Sequence, residues 1–156
     1  MQSTVAQAIE RATLDVFAVM VGDDLAPVTL RNADWLEHRS IIVSSLELSG
    51  PISGTAQVFY SLPLARRITC QMLQVQPPAS EIDILDAAGE IANMIVGNVR
   101  NSLKDLWGSI GIGAPTVEIS SVWAPTKQAM NVSFLSYGDM FTVSVAFQKH
   151  ADHCED

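Results

Sequence analysis

An α+β fold in two layers, a largely antiparallel sheet with helices packed on it, follows from three features of the sequence. Two long segments, 4–21 and 81–107, repeat apolar residues at helical spacing. Five shorter runs are rich in β-branched and aromatic residues. Neighbouring runs are joined by hairpin-like links at Gly50-Pro51 and Gly138-Asp139, which favour antiparallel pairing.

Taken in order, TVAQAIERATLDVFAVMV (4–21) sets Val5, Ile9, Ala12, Val16 and Met20 on one helical face, and Gly22-Asp23-Asp24 ends it. Residues 23–40 read as irregular structure. IIVSSLEL (41–48) and ISGTAQVFY (52–60) read as a strand pair. Ser61-Leu62-Pro63 then supplies a hydroxyl N-cap and an early proline for a helix running to about Leu73. Pro77-Pro78-Ala79-Ser80 is a short connector. The next helix is expected to run from about Glu81 to Trp107 and stop at Gly108. Its first turns carry Glu81, Asp83 and Asp86 and its last carry Arg100 and Lys104, matching the helix dipole. Three strands complete the chain: TVEISSVW (116–123), MNVSFLSY (130–137) and MFTVSVAFQ (140–148). The expected order is α-β-β-α-α-β-β-β in a single domain spanning 1–156, with a tail at about 149–156 expected to be disordered.

Composition narrows the function. The chain has 156 residues, 48% of them hydrophobic, and a mean hydropathy of +0.23, which suits a packed core rather than disorder. Nine basic against seventeen acidic residues give a formal charge of −8, a poor balance for nucleic acid or an anionic membrane surface. The sequence has no apolar run of the roughly 18–20 residues needed to span a bilayer. The opening MQSTVAQAIERAT lacks the character of an export signal, so a cytoplasmic location is expected. Cys70 and Cys154, far apart, read as free thiols.

The chemistry concentrates in DAAGEIANMIVG (86–97), where Asp86, Glu90 and Asn93 are the polar side chains among alanines, glycines and large apolar residues. At about 100° per residue, Asp86, Glu90, Asn93, Gly97, Arg100 and Lys104 lie within roughly 60° of one line. Leu85, Ala88, Ala92, Ile95, Val99, Leu103 and Leu106 fall on the other side. Glu90 and Asn93 therefore occupy adjacent turns of one exposed face, with Cβ atoms about 5–6 Å apart. Glycine inside a helix costs about 1 kcal/mol relative to alanine, and its usual benefit is space. Gly97, and Gly89 beside Glu90, are read as allowing another surface to approach the pair. An acid and an amide at this spacing also occur on any amphipathic helix as a plain solvated stripe. No nucleophile or histidine accompanies them, so a triad is excluded.

Asp86, Glu90, Asn93 and Pro115 also satisfy the spacing Asp/Ser-x3-Glu-x2-Asn-x21-Pro, which resembles the signature of the CheC/CheX group of bacterial chemotaxis phosphatases. The text GEIANMIVGN is similar to CheX in particular. CheC-type members carry the helix motif twice, and it is found once here. The resemblance spans the chain from the first helix to the final hairpin, and it implies a CheC/CheX-like fold, a homodimer, and hydrolysis of the aspartyl phosphate of a CheY-like response regulator. It implies that Asn93 orients the attacking water and that Glu90 docks by a salt bridge to the regulator's lysine. Asp86, Gly97, Arg100, Asn101 and Lys104 would border the partner-binding face, and Pro115 would be structural, at the entry to a strand. No cofactor of its own is implied, since Mg2+ resides in the partner. The alternative within the same fold is a non-catalytic homodimeric module that binds a regulator or another signalling protein.

Other candidates carry less. His150, Asp152, His153, Cys154 and Glu155 include possible metal ligands, but they match no closed zinc site and lie at the chain end, so no metal site is expected. Gly108-Ser-Ile-Gly111-Ile-Gly113 lacks the Gly-Lys-Ser/Thr of a phosphate loop and follows a helix instead of opening one. Trp35, Trp107 and Trp123 are candidates for a dimer or partner surface.

Overall fold

The computed structural model describes residues 2–22, 24–31, 34–35, 40–123 and 128–148. Its elements are α1 (Gln2–Val16), a π-helical turn (Phe17–Val21), β1 (Ala26–Val28), β2 (Ile41–Ser49), β3 (Ser53–Ser61), α2 (Leu62–Leu73), α3 (Glu81–Ser102), α4 (Lys104–Trp107), β4 (Gly111–Ile112), β5 (Thr116–Ser120), β6 (Met130–Ser136) and β7 (Asp139–Gln148). The strands form one sheet ordered β1-β6-β7-β3-β2, and β4 and β5 share the far edge of β2. All pairings are antiparallel. This is the two-layer α+β architecture that the sequence predicts.

Strand alternation decides which face each side chain takes. Even-numbered residues of β2 and β3 (Ile42, Leu46, Leu48; Ala56, Val58, Tyr60) and odd-numbered ones of β7 (Phe141, Val143, Val145) line one face and are buried. There they join Val5, Ile9, Ala12 and Val16 of α1, Leu64 and Ile68 of α2, and Ile84, Ile91, Ile95 and Val99 of α3 in the main core. Helix α3 packs against both α1 and α2 and lies over β2, β3 and β5. The opposite sheet face holds a smaller apolar cluster of Trp35, Ile41, Val43, Phe59 and Met140. Elsewhere on that face sit hydroxyls and amides such as Ser45, Gln57, Ser133, Thr142 and Ser144.

Several boundaries differ from the expectation. The first helix closes through the π-helical turn, with Gly22 in the left-handed region (φ 77°) donating to the Phe17 carbonyl at 2.7 Å. Segment 23–40, read as irregular, contains β1, and the glycine-rich 108–113 contains β4; both are short strands recruited by a neighbour rather than by their own pattern. The long helix breaks at Leu103 (φ −107°, ψ 17°), so Lys104 begins α4 and leaves the helical register of α3. Ser61 occupies the N-cap position of α2, but its hydroxyl makes no capping bond. The β6–β7 turn centres on Tyr137-Gly138 rather than Gly138-Asp139. Both have positive φ (50° and 81°), as a two-residue hairpin turn matched to strand twist requires. Trp35 and Trp107 are buried, and Trp123 stacks on Trp35 at 5.0 Å, so the tryptophans pack within the molecule. Residues 149–156, with the candidate metal ligands and the expected disordered tail, lie outside the described residues.

Candidate functional site

Helix α3 starts at Ser80, whose hydroxyl accepts from the Asp83 amide at 3.1 Å, and Glu81 and Asp83 lie in its first turn. Its buried stripe is Ile84, Ala87, Ala88, Gly89, Ile91, Ala92, Ile95, Val96 and Val99. Alanines and a glycine dominate the middle of that stripe, which brings the helix backbone close to the sheet. Asp86, Glu90, Asn93 and Asn101 are exposed, and Gly97 and Arg100 are half-buried. One face of a single helix thus carries all the predicted residues of α3, while Lys104 is exposed on α4.

Within the described residues, neither Glu90 nor Asn93 makes a side-chain hydrogen bond or ion pair. Along its helical row, Asn93 has Gly89 one turn before and Gly97 one turn after, so no neighbouring side chain flanks the amide in that direction. A groove of about 770 Å3 between α2 and the start of α3 is lined by residues including Leu62, Arg66, Cys70, Val75, Ile84 and Ile119. It includes neither Glu90 nor Asn93. The pair stands on the helix surface with its functional groups unspent.

The two glycines do different work. A Cβ at Gly97 would meet nothing within 4 Å, so its bare backbone leaves open space. A Cβ at Gly89 would lie 3.2 Å from Val117 Cγ2 and 3.4 Å from Pro115 Cγ. Gly89 is buried, and its missing side chain admits β5 rather than an incoming partner, which corrects the expectation for that residue. Pro115, directly before β5, thereby touches the helix at the residue preceding Glu90.

A further contact of this turn escaped the sequence reading. Tyr60, fully buried on the helix-facing side of β3, donates its hydroxyl to the Ala88 carbonyl at 2.6 Å. Burial pushes the phenol far above its ordinary value, and contacts with Ser44 and the backbone at Ala92 only partly offset this. The hydroxyl therefore stays protonated and donates. The strand alternation already placed Tyr60 with Val58 and Ala56, and a tyrosine on a core face needs a polar partner. Where that partner lies is a matter of tertiary packing that strand alternation does not encode.

No group of His, Cys, Asp and Glu suited to a metal ion occurs among the described residues. No helix among them is long and apolar enough to cross a membrane.

The family model for the chemotaxis phosphatase CheX matches residues 42–128. Solved structures agree in fold. The chemotaxis protein CheX of Vibrio vulnificus aligns with a TM-score of 0.80 at 17% identity, covering 95% of this chain and 99% of that one. CheX of Desulfovibrio desulfuricans aligns with a TM-score of 0.76 at 21% identity, over 92% and 99%. The CheX–CheY–BeF3–Mg2+ complex of Borrelia burgdorferi gives 0.70 at 15% identity, over 92% and 97%. No curated protein is similar enough in sequence to count as a match.

Proposed function

The chain belongs to the CheX family of chemotaxis phosphatases, and from that premise we propose that it hydrolyses the aspartyl phosphate of a CheY-like response regulator, with Asn93 positioning the water and Glu90 docking the partner. The observation that carries this reading is the exposed pair on α3, whose side chains make no hydrogen bond or ion pair within the described residues.

The chemistry asks little of the protein beyond placement. An acyl phosphate is an activated mixed anhydride, and the regulator brings its own Mg2+ and lysine to neutralise charge. Water attacks phosphorus in line, the bond from phosphorus to the aspartyl oxygen breaks, and inorganic phosphate and a free carboxylate result. In the loose transition state of phosphoryl transfer the nucleophile forms little bond, so a strong base is unnecessary. A carboxamide is not a base at neutral pH, but it accepts with its oxygen and donates with its nitrogen. Asn93 can therefore align the water, which is catalysis by positioning. Glu90, one turn away, would pair with the regulator's lysine and fix the helix in register on the partner. The B. burgdorferi relative was crystallised with CheY, BeF3 and Mg2+; beryllofluoride resembles a phosphoryl group, which supports a partner of this kind. The reading requires no metal held by this chain, and it includes a homodimer.

The test is phosphate release from CheY-like regulators charged with acetyl phosphate, with and without this protein. Accelerated loss of the phosphoaspartate supports the reading. Binding to a beryllofluoride-loaded regulator without any acceleration would establish a non-catalytic docking module instead. Light scattering checks the dimer: a persistent 16.8 kDa species at tens of micromolar, a concentration well above roughly micromolar dissociation constants, would rule it out.

A further inference from the structure

We propose that Tyr60 is a positioning residue for the phosphatase reaction, acting through the backbone of α3 and together with the Gly89–Pro115 contact to hold the turn that carries Glu90 and Asn93. The inference rests on the functional reading above.

Helix α3 is an amphipathic rod on a sheet, and the hydrophobic effect that holds it there is non-directional, so its exact seat is set by specific contacts and close packing. Two specific contacts, one a hydrogen bond and one close packing, act on one turn. From below, the Tyr60 hydroxyl bonds the Ala88 carbonyl at 2.6 Å, and β3, which bears it, is paired on both sides by β2 and β7. From the side, Pro115 and Val117 close onto Gly89, where even a single added Cβ would have contacts at 3.2 and 3.4 Å. Ala88 and Gly89 immediately precede Glu90, and Asn93 follows one turn on. The bond fixes the helix along its axis, and the glycine contact fixes its rotation.

The hydrogen bond is not needed to complete the helix. The Ala88 carbonyl lies within α3, where it also accepts from the Ala92 amide in the ordinary i to i+4 pattern. A carbonyl has two lone pairs, so the phenol takes the second one. Tyr60→Phe consequently leaves the Ala88 carbonyl with its helical partner, keeps the ring contact with Phe141 (centroids 5.0 Å apart), and removes the hydroxyl that ties β3 to the helix and faces the Ser44 side chain. A salt bridge such as the one proposed for Glu90 tolerates a small shift of the helix, because charge attraction falls off gradually with distance. Placing a water in line does not, since misplacement by about 1 Å can cost roughly 10²-fold.

The experiment measures steady-state hydrolysis of a phosphorylated CheY-like regulator at a temperature where every variant is folded by circular dichroism. Tyr60→Phe is expected to lower kcat by about tenfold, a partial form of that misplacement cost, while KM stays within about twofold. Gly89→Ala, which presses on the same turn from the other side, should lower kcat in the same way. Thr69→Val is the structural control: it removes a comparably buried hydroxyl–carbonyl bond, Thr69 to Ala65 at 2.6 Å, from α2 rather than α3. It should lower Tm by a few degrees and leave kcat unchanged. Equal losses of kcat in Tyr60→Phe and Thr69→Val would reduce the effect to stability and overturn the proposal. So would wild-type kcat in Tyr60→Phe beside an inactive Asn93→Ala, an outcome that leaves the phosphatase reading intact. An inactive wild type removes both.

Discussion

Helices α2 and α3 lie on the same sheet face, yet they treat their polar side chains in opposite ways. On α2, Arg67 is fully engaged. Its guanidinium meets Asp139 at 2.6 Å, donates to the Ser136 hydroxyl and carbonyl at 2.8 and 3.2 Å, and lies 5.2 Å from the centre of the Tyr137 ring. These contacts tie the helix to the β6–β7 hairpin. On α3, Glu90 and Asn93 form no such bonds within the described residues. A polar group that serves the fold finds its partners within the chain. Glu90 and Asn93 keep their bonding capacity free among the described residues, as the proposed role requires.

That contrast can be broken from either side. The largest effect is expected from Asn93→Ala, which should reduce regulator dephosphorylation by roughly 10²-fold, the scale of losing one preorganised hydrogen-bonding group. Its unfolding midpoint in denaturant should match wild type, because the side chain supports nothing in the fold. Wild-type turnover in a folded, binding-competent Asn93→Ala protein would remove the amide from the mechanism. Glu90→Ala should act chiefly on association, raising KM by about tenfold as a lost charge-assisted contact does, and it should flatten the dependence of KM on salt. A pure kcat effect would reassign Glu90. Arg67→Ala should reverse the pattern: a loss of about 1–2 kcal/mol in chemical denaturation, from hydrogen bonds to a charged group that is partly exposed, with kcat of the folded protein retained. Smallest is Gly97→Ala. The added methyl meets nothing, so it should raise stability by up to about 1 kcal/mol through helix propensity. Gly97→Leu, by contrast, should raise KM as Glu90→Ala does if that open space is where the regulator approaches.

The long elements were legible because their signals are redundant. Helix α3 has a serine cap, acidic first turn and sustained period, and β2, β3, β6 and β7 carry β-branched residues between turn signals. Strands β1 and β4 were not, since three and two residues hold no period and exist only because β6 and β2 offer free edges. The break at Leu103 was hidden because 103–107 keep apolar spacing across a backbone deviation that side-chain pattern does not encode. In the candidate site, the exposed face of α3 could be read from angles alone. The two meanings of glycine could not. Gly89 and Gly97 look alike in sequence, and only the position of β5 separates a packing glycine from an open one.

The touch between Pro115 and Gly89 turns a spacing into a length of chain that must come home. From Asn93 the backbone finishes α3, turns through α4, pairs briefly as β4 with the end of β2, and returns beside the helix it left. Because β4 and β5 register on the same strand, at Leu48–Ser49 and at Ile41–Ser45, both the outward and return legs are anchored. Between the two ladders residues 113–115 already face only 46 and 47 of β2, so a further residue added at Gly113-Ala114 is expected to push the proline off the helix or drag β5 out of step. The interval in the motif works as a closed circuit, cut to fit.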